Sequence, residues 1–298
     1  MSIFSLNCRL LCACEVAEEV LPGKPFSPDP RYLNPIGYHN PPIIIKGGVD
    51  EIDVATLGTN DDGVILAFRG TLPPAPNVPA ILDWLQDLLA VTVEVEGLPG
   101  RVHMGFYGAI QTIWKPLLAA VTAQVTSGKA LIITGHSKGA AVATIAAYML
   151  HNAGITAAKV IPFASPNPGD VDFAAGFQKI FSQTRYTNYM DIVPFLPPTP
   201  ALAKRFEDLP EIGWLFKDFA KWNYAAVGNG IFVQENGSIL NQAADPTAYA
   251  AAIGADLITI GKVAETLAGL SEIGNAHSLM CGHGYMKGVC QNAVCGKQ

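Results

Sequence analysis

Along the 298-residue chain, short apolar runs bounded by turn residues alternate with stretches of helical spacing. The runs at 52–58, 64–70, 131–135, 159–164, 184–189 and 231–234 read as strands. Between them, apolar positions recur at helical spacing near 105–126, 138–153, 170–181 and 244–270. Strands that alternate with helices predict a mostly parallel sheet covered on both faces. Apolar spacing in the first 23 residues predicts an amphipathic helix ending near Gly23. Asn236-Gly237 between two extended runs predicts a hairpin turn, a reading preferred to the glycosylation sequon it also matches. The proline-dense segments 71–79 and 193–200 exclude regular helix or interior strand and predict rigid loops.

Composition narrows the class. Half of the residues are hydrophobic and 15% are charged, so a large core forms and disorder is excluded. A net charge of -6 with no basic run argues against a nucleic-acid partner. Arg9 and Glu15 interrupt the first apolar stretch, so neither a signal peptide nor a transmembrane segment is expected there. The longest uncharged run follows Ser137 and reads as a buried central helix. Six cysteines lie at the two ends: Cys8, Cys12 and Cys14, then Cys281, Cys290 and Cys295. Their spacing does not suit a metal site. It suggests that the first helix lies beside the C-terminal tail, with a disulfide between them left open. Without an export signal, a cytoplasmic chain with reduced thiols is expected ahead of a secreted one.

The chemistry is concentrated at Gly135-His136-Ser137-Lys138-Gly139, which fits Gly-x-Ser-x-Gly between an apolar strand and an Ala-rich helix. A serine hydroxyl needs a base to become a nucleophile, and a sharp strand-to-helix turn exposes it to both base and substrate. No Gly-x-x-x-x-Gly-Lys-[Ser/Thr] pattern fits the same residues, which removes a phosphate loop. The expected order is then serine, acid, histidine. Asp191 follows a candidate strand and precedes a rigid apolar loop. Asp170 and Asp172 stand at a helix start, where N-capping is expected instead. Downstream of Asp191 the histidines are His277 and His283, both placed in a loop before Gly284-Tyr285. The order does not choose between them. The apolar anchor Leu279 favours His277, and Tyr285, two residues beyond His283, favours the other. The expectation falls on His277. His39, His103, His136 and His151 read as structural.

Five ordered segments resemble the class 3 lipases: 66–71 (LAFRGT), 83–88 (DWLQDL), 102–107 (VHMGFY), 134–140 (TGHSKGA), and 163–170 with 185–198. The resemblance implies an α/β-hydrolase fold over 1–298, with a mostly parallel central sheet, helices on both faces and no cofactor or metal. It implies Ser137 as nucleophile, Asp191 as acid and His277 as base. The backbone N–H groups of Thr71 and Lys138 would form an oxyanion hole. It also implies a lid near 72–82, where Pro73, Pro74, Pro76 and Pro79 predict a stiff loop and modest interfacial activation. A segment near 203–222 departs from the family pattern, and its Trp214, Leu215, Phe216, Phe219 and Trp222 are as compatible with core as with an apolar wall beside the site.

The function implied is hydrolysis of carboxylic esters, with a triacylglycerol lipase as the first reading and a lipid or other ester substrate, in solution or at an oil–water interface. A carboxylesterase or feruloyl-type esterase of the same fold is the alternative. A catalytically silent lipid-binding or signalling module is the reading from a different class. The sequence leaves the oligomeric state open.

Overall fold

The structure, a computed structural model, describes residues 4–71, 88–125, 128–207, 217, 219–263, 267–279, 281, 284–291 and 293–295. Its centre is an eight-stranded sheet in the order β1-β2-β3-β6-β7-β9-β11-β12. The strands are β1 (Ile43–Gly47), β2 (Asp53–Asn60), β3 (Gly63–Phe68), β6 (Leu131–His136), β7 (Lys159–Phe163), β9 (Thr184–Asn188), β11 (Asn229–Val233) and β12 (Ile239–Asn241). The five from β3 to β11 run parallel, and antiparallel β1, β2 and β12 close the edges. A small antiparallel sheet, β10-β8-β5-β4, joins β4 (Thr92–Glu94), β5 (Arg101–His103), β8 (Gly169–Asp170) and β10 (Tyr224–Ala225).

The period-two alternation of a strand is visible in β3. Val64, Leu66 and Phe68 enter one core, while Ile65 and Ala67 enter the other. The first core lies under α3 (Met104–Val125) and α4 (Lys138–Asn152), through Phe106, Ile110, Ile113 and Leu117 and through the small residues Ala141, Ala143 and Ala146. The second lies under α1 (Leu6–Glu18) and α9 (Gly284–Val289), with Leu11, Val16, Tyr285 and Met286. Helices thus cover both faces of a parallel sheet, and the architecture is the α/β-hydrolase fold.

Shorter helices complete the connections: α2 (Pro30–Ile36), α5 (Val171–Gln178) and α6 (Pro200–Phe206). Asp170 caps α5 as expected, accepting the Phe173 N–H at 2.8 Å. The single helix read over 244–270 is two, α7 (Pro246–Val263) and α8 (Leu267–His277). His277 is therefore the last residue of a helix, not part of a loop. The hairpin turn at 236–237 joins β11 to β12. Among the described residues, no helix is long and apolar enough to cross a membrane.

The two ends of the chain meet. Cys8 on α1 is bonded to Cys290 after α9, and Cys281 to Cys295. The N-terminal helix does lie beside the C-terminal tail, and the expectation of reduced thiols is corrected for these four. Cys12 and Cys14 remain buried thiols, and burial pushes the Cys12 thiol up to about 12.

Candidate active site

Ser137 occupies the turn from β6 into α4, with φ 56° and ψ -131°. A non-glycine residue in that region is strained and persists only where its surroundings fix it. Here the flanking glycines permit the turn. A Cβ on Gly135 would fall against the Gly139 carbonyl, and one on Gly139 against the main chain of Phe68 and Arg69. The Ser137 N–H donates to Phe163 O at 3.1 Å, tying the turn to β7. Ser137 is 2% exposed, and its Oγ has no hydrogen-bond partner among the described residues.

Asp191 stands three residues beyond β9 and is fully buried. Its Oδ1 accepts the Val193 N–H at 3.0 Å, and its Oδ2 accepts the Tyr285 hydroxyl at 2.7 Å. His277 Nδ1 lies 3.0 Å from Oδ1 and 3.1 Å from Oδ2. With the carboxylate able only to accept, Nδ1 carries the proton, which leaves Nε2 as the basic nitrogen of a neutral ring. Burial holds the His277 pKa below the ordinary imidazole value, against the pull of Asp191. His283, the other candidate, lies outside the described residues.

His136 connects this pair to the elbow. Its Nε2 donates to the His277 carbonyl at 2.8 Å, and the two rings lie 4.7 Å apart. Its Nδ1 is 3.5 Å from Glu18 Oε1, and the same oxygen accepts the Gly70 N–H at 2.8 Å. A Cβ on Gly70 would sit 3.2 Å from Ser137 Cβ, so the Arg69–Gly70–Thr71 segment runs against the elbow. Arg69 is fixed from below by the carbonyls of Val20 and Ile52. Lys138, first residue of α4, is pinned by its Nζ to Asp53 Oδ1 at 2.8 Å. Of the residues expected in the site, Ser137, Asp191, His277, Thr71 and Lys138 all fall at this end of the sheet, the C-terminal end of β3, β6 and β9. The lid expected near 72–82 lies outside the described residues, as do Trp214, Leu215 and Phe216. Phe219 and Trp222 belong to a short 3-10 helix and are half-buried.

The remaining histidines are structural where described. Burial drops the His103 pKa to about 4. Its neutral ring accepts the N–H groups of Gly105 and Phe106 and caps α3. Three contributors escaped sequence reasoning: Glu18, Tyr285 as partner of the acid, and Asp256 on α7, whose Oδ1 accepts the Met190 N–H at 3.0 Å. Only Tyr285 had a signal, the aromatic residue soon after the histidines. It serves the acid rather than marking the base.

Residues 65–201 match the family Lipase (class 3). The secreted mono- and diacylglycerol lipase A of Penicillium cyclopium is 30% identical over 147 residues, 48% of this chain and 46% of that protein. Phospholipase A1-II 4 of Oryza sativa subsp. japonica is 31% identical over 179 residues, 49% of this chain and 42% of that protein. The chain spans about half the length of the curated relatives it matches. The Rhizomucor miehei triacylglyceride lipase superposes with a TM-score of 0.58 at 22% identity, over 79% of this chain and 81% of that one. Fungal relatives are named as secreted lipases, which overturns the cytoplasmic expectation and points to secretion. The physical reason agrees, because disulfides persist in oxidising compartments. The family match over residues 65–201 contains the Ser137 elbow and the Asp191 loop that the sheet brings together.

Proposed function

We propose that this chain hydrolyses carboxylic esters of acylglycerols through an acyl-enzyme on Ser137. The observation that carries the reading is the buried Asp191–His277 pair, linked through His136 to the strained Ser137 turn. His277 Nε2 takes the Ser137 proton as Oγ attacks the ester carbonyl. The tetrahedral oxyanion is held by the N–H groups of Thr71 and Lys138, each worth on the order of 3 kcal/mol of the barrier. Asp191 keeps the ring oriented and stabilises the imidazolium. The alkoxide leaves with the proton from His277. Water, activated by the same nitrogen, then releases the fatty acid. Ser137 Oγ has no hydrogen-bond partner among the described residues, which is compatible with this role, since such bonds tighten on substrate binding.

Acylglycerol is the first substrate class because relatives named mono- and diacylglycerol lipases are 30% and 39% identical over 48% and 33% of this chain. The rice relative, named a phospholipase, supports phospholipid as the second. The test has two arms. Ser137→Ala should fold and lose nearly all hydrolysis of a p-nitrophenyl ester, and a p-nitrophenyl phosphonate should label the parent once, on Ser137. Hydrolysis of diacylglycerol and phosphatidylcholine emulsions, measured side by side, then ranks the two classes. Full turnover in Ser137→Ala would sink the mechanism, and a silent module would show neither turnover nor labelling.

A further inference from the structure

The turn 188–191 carries the candidate acid, and four elements hold it. Asn188 Nδ2 donates to Ala276 O on α8 at 2.9 Å, and the Tyr285 hydroxyl on α9 accepts the Asn188 N–H at 3.1 Å. The Tyr189 N–H donates to Val233 O on β11 at 2.8 Å. The fourth contact comes from α7. There the core-facing positions are Tyr249, Asp256 and Ile260, and the middle one is a carboxylic acid, 2% exposed. A core position on a helix takes an apolar residue unless a polar one meets a partner that needs it. The partner here is the Met190 N–H, which donates to Asp256 Oδ1 at 3.0 Å. Met190 is buried and has φ 65°, a conformation that glycine, without a Cβ, adopts freely and methionine does not. The N–H it offers belongs to the Tyr189–Met190 peptide, and Met190 is the residue immediately before Asp191.

We propose that Asp256 is a positioning residue for the hydrolytic site: it fixes the left-handed Met190 peptide and so aims the Asp191 carboxylate at His277. The proposal rests on the reading of Ser137, Asp191 and His277 given above. Asp256 touches neither substrate nor the reacting atoms, and acts through the backbone of the acid's neighbour. Its other oxygen, Oδ2, is buried with no hydrogen-bond partner among the described residues. That geometry suits a carboxyl that is uncharged in the folded protein. Burial, with Asp191 nearby, raises its pKa to about 7, and the Met190 N–H opposes the rise. The titratable groups that face it are Asp191 beyond β9, Tyr189 in the same turn and Tyr285 on α9. The region 246–263 lies beyond the family match at 65–201, so this strut belongs to the chain's own C-terminal part.

The experiment compares Asp256→Ala and Asp256→Asn with the parent on a soluble p-nitrophenyl ester, with Ser137→Ala alongside. Asp256→Ala removes the acceptor and should lower kcat about 10- to 100-fold at nearly unchanged KM, the scale expected for small misplacement of a reacting group. Asp256→Asn keeps an acceptor oxygen and should restore kcat to within about threefold of the parent. Should Asp256→Ala not fold, Asp256→Glu keeps the carboxyl but moves the acceptor by one methylene, and carries the same expected loss. A folded Asp256→Ala with parental kcat overturns the proposal. So does an Asp256→Asn as impaired as the alanine variant, because it would assign the effect to charge rather than to the hydrogen bond. Parental hydrolysis in Ser137→Ala sinks the site reading itself, a result separate from any behaviour of Asp256.

Discussion

His136 holds His277 by the main chain: its Nε2 donates to the His277 carbonyl at 2.8 Å, from the position directly before Ser137. The candidate nucleophile and the candidate base are thereby referenced to each other through one side chain. His136→Phe keeps the ring against His277 and removes the donor, which leaves a buried carbonyl without its partner. That loss costs about 1–3 kcal/mol. The thermal midpoint should fall by a few degrees. Displacement of the base should lower kcat about tenfold, with KM little changed. Circular dichroism and steady-state kinetics on one preparation check both.

Tyr285 is the second support of the acid. Its hydroxyl donates to Asp191 Oδ2 and accepts from the Asn188 N–H. Burial and the neighbouring Asp191 charge push its pKa well above the ordinary phenol value, so it remains a donor across the working range. Tyr285→Phe deletes one of three donors to the carboxylate and orphans the Asn188 N–H. The expected result is a loss of about 1–3 kcal/mol in unfolding free energy, read by urea titration, and a drop in kcat. An unchanged kcat would show that Val193 and His277 alone orient the acid.

The parts of the site legible in the sequence are those carried by local chemistry. Ser137 is announced by its two glycines, because the turn excludes side chains at 135 and 139. Asp191 is announced by its place after a strand and before a rigid loop. His277 was less legible: helical spacing was read only to 270 and His277 was placed in a loop, whereas α8 ends at His277. Long-range partners left no trace. Glu18 reads as one acid among several on an amphipathic helix, and only the packing of α1 against β3 and β6 brings it to Gly70 and His136. Asp256 carries no local motif, and only the docking of α7 brings it to the Met190 N–H. Among strands, β4, β5, β8 and β10 are two or three residues long, too short for any period, and are defined by their pairing. The parallel core was legible because its strands are continuous apolar runs buried on both faces.

The base should titrate low. Burial is the largest influence on His277 and disfavours the imidazolium, while Asp191 favours it. A general base works when neutral, so kcat/KM rises with pH through its pKa in the free enzyme. The midpoint of that rise should lie below the ordinary imidazole value of about 6.5. Asp191→Asn removes the charge that opposes burial. It should move the midpoint lower still and cut kcat by several orders of magnitude, as loss of the orienting acid does in serine hydrolases. A midpoint above 6.5 in the parent would mean that the Asp191 charge outweighs burial.

The disulfide between Cys8 and Cys290 joins residues 282 apart and ties α1 to the tail just beyond α9. A cross-link closing so long a loop restricts the unfolded chain by about 5 kcal/mol in the chain-entropy account. Cys8→Ala with Cys290→Ala should therefore lower the thermal midpoint by well over 5 °C, given about 2–4 °C per kcal/mol for a domain this large. Because α9 carries Tyr285, residual activity of the double variant should be lost on heating together with the folded signal. Identical midpoints for parent and double variant would show that α1 is held by its buried face alone.

Asp256 also makes stability depend on pH, and the sign follows from its raised pKa. In the unfolded chain an aspartate titrates near 3.8, and in the fold Asp256 does so at about 7. The folded state thus binds an extra proton between those values, so the stability contributed by the neutral acid is full below pH 3.8 and is lost as pH rises through 7. Above neutrality the buried charge costs a few kcal/mol. Asp256→Asn has no such charge and keeps the acceptor for the Met190 N–H. Its thermal midpoint should match the parent's below the unfolded value of 3.8 and exceed it by several degrees at pH values above about 7, with the gap opening between the two. Differential scanning calorimetry of both proteins across that range is the measurement. A gap that closes as pH rises would mean that Asp256 is charged and compensated in the fold, and that its unpartnered oxygen meets a donor there.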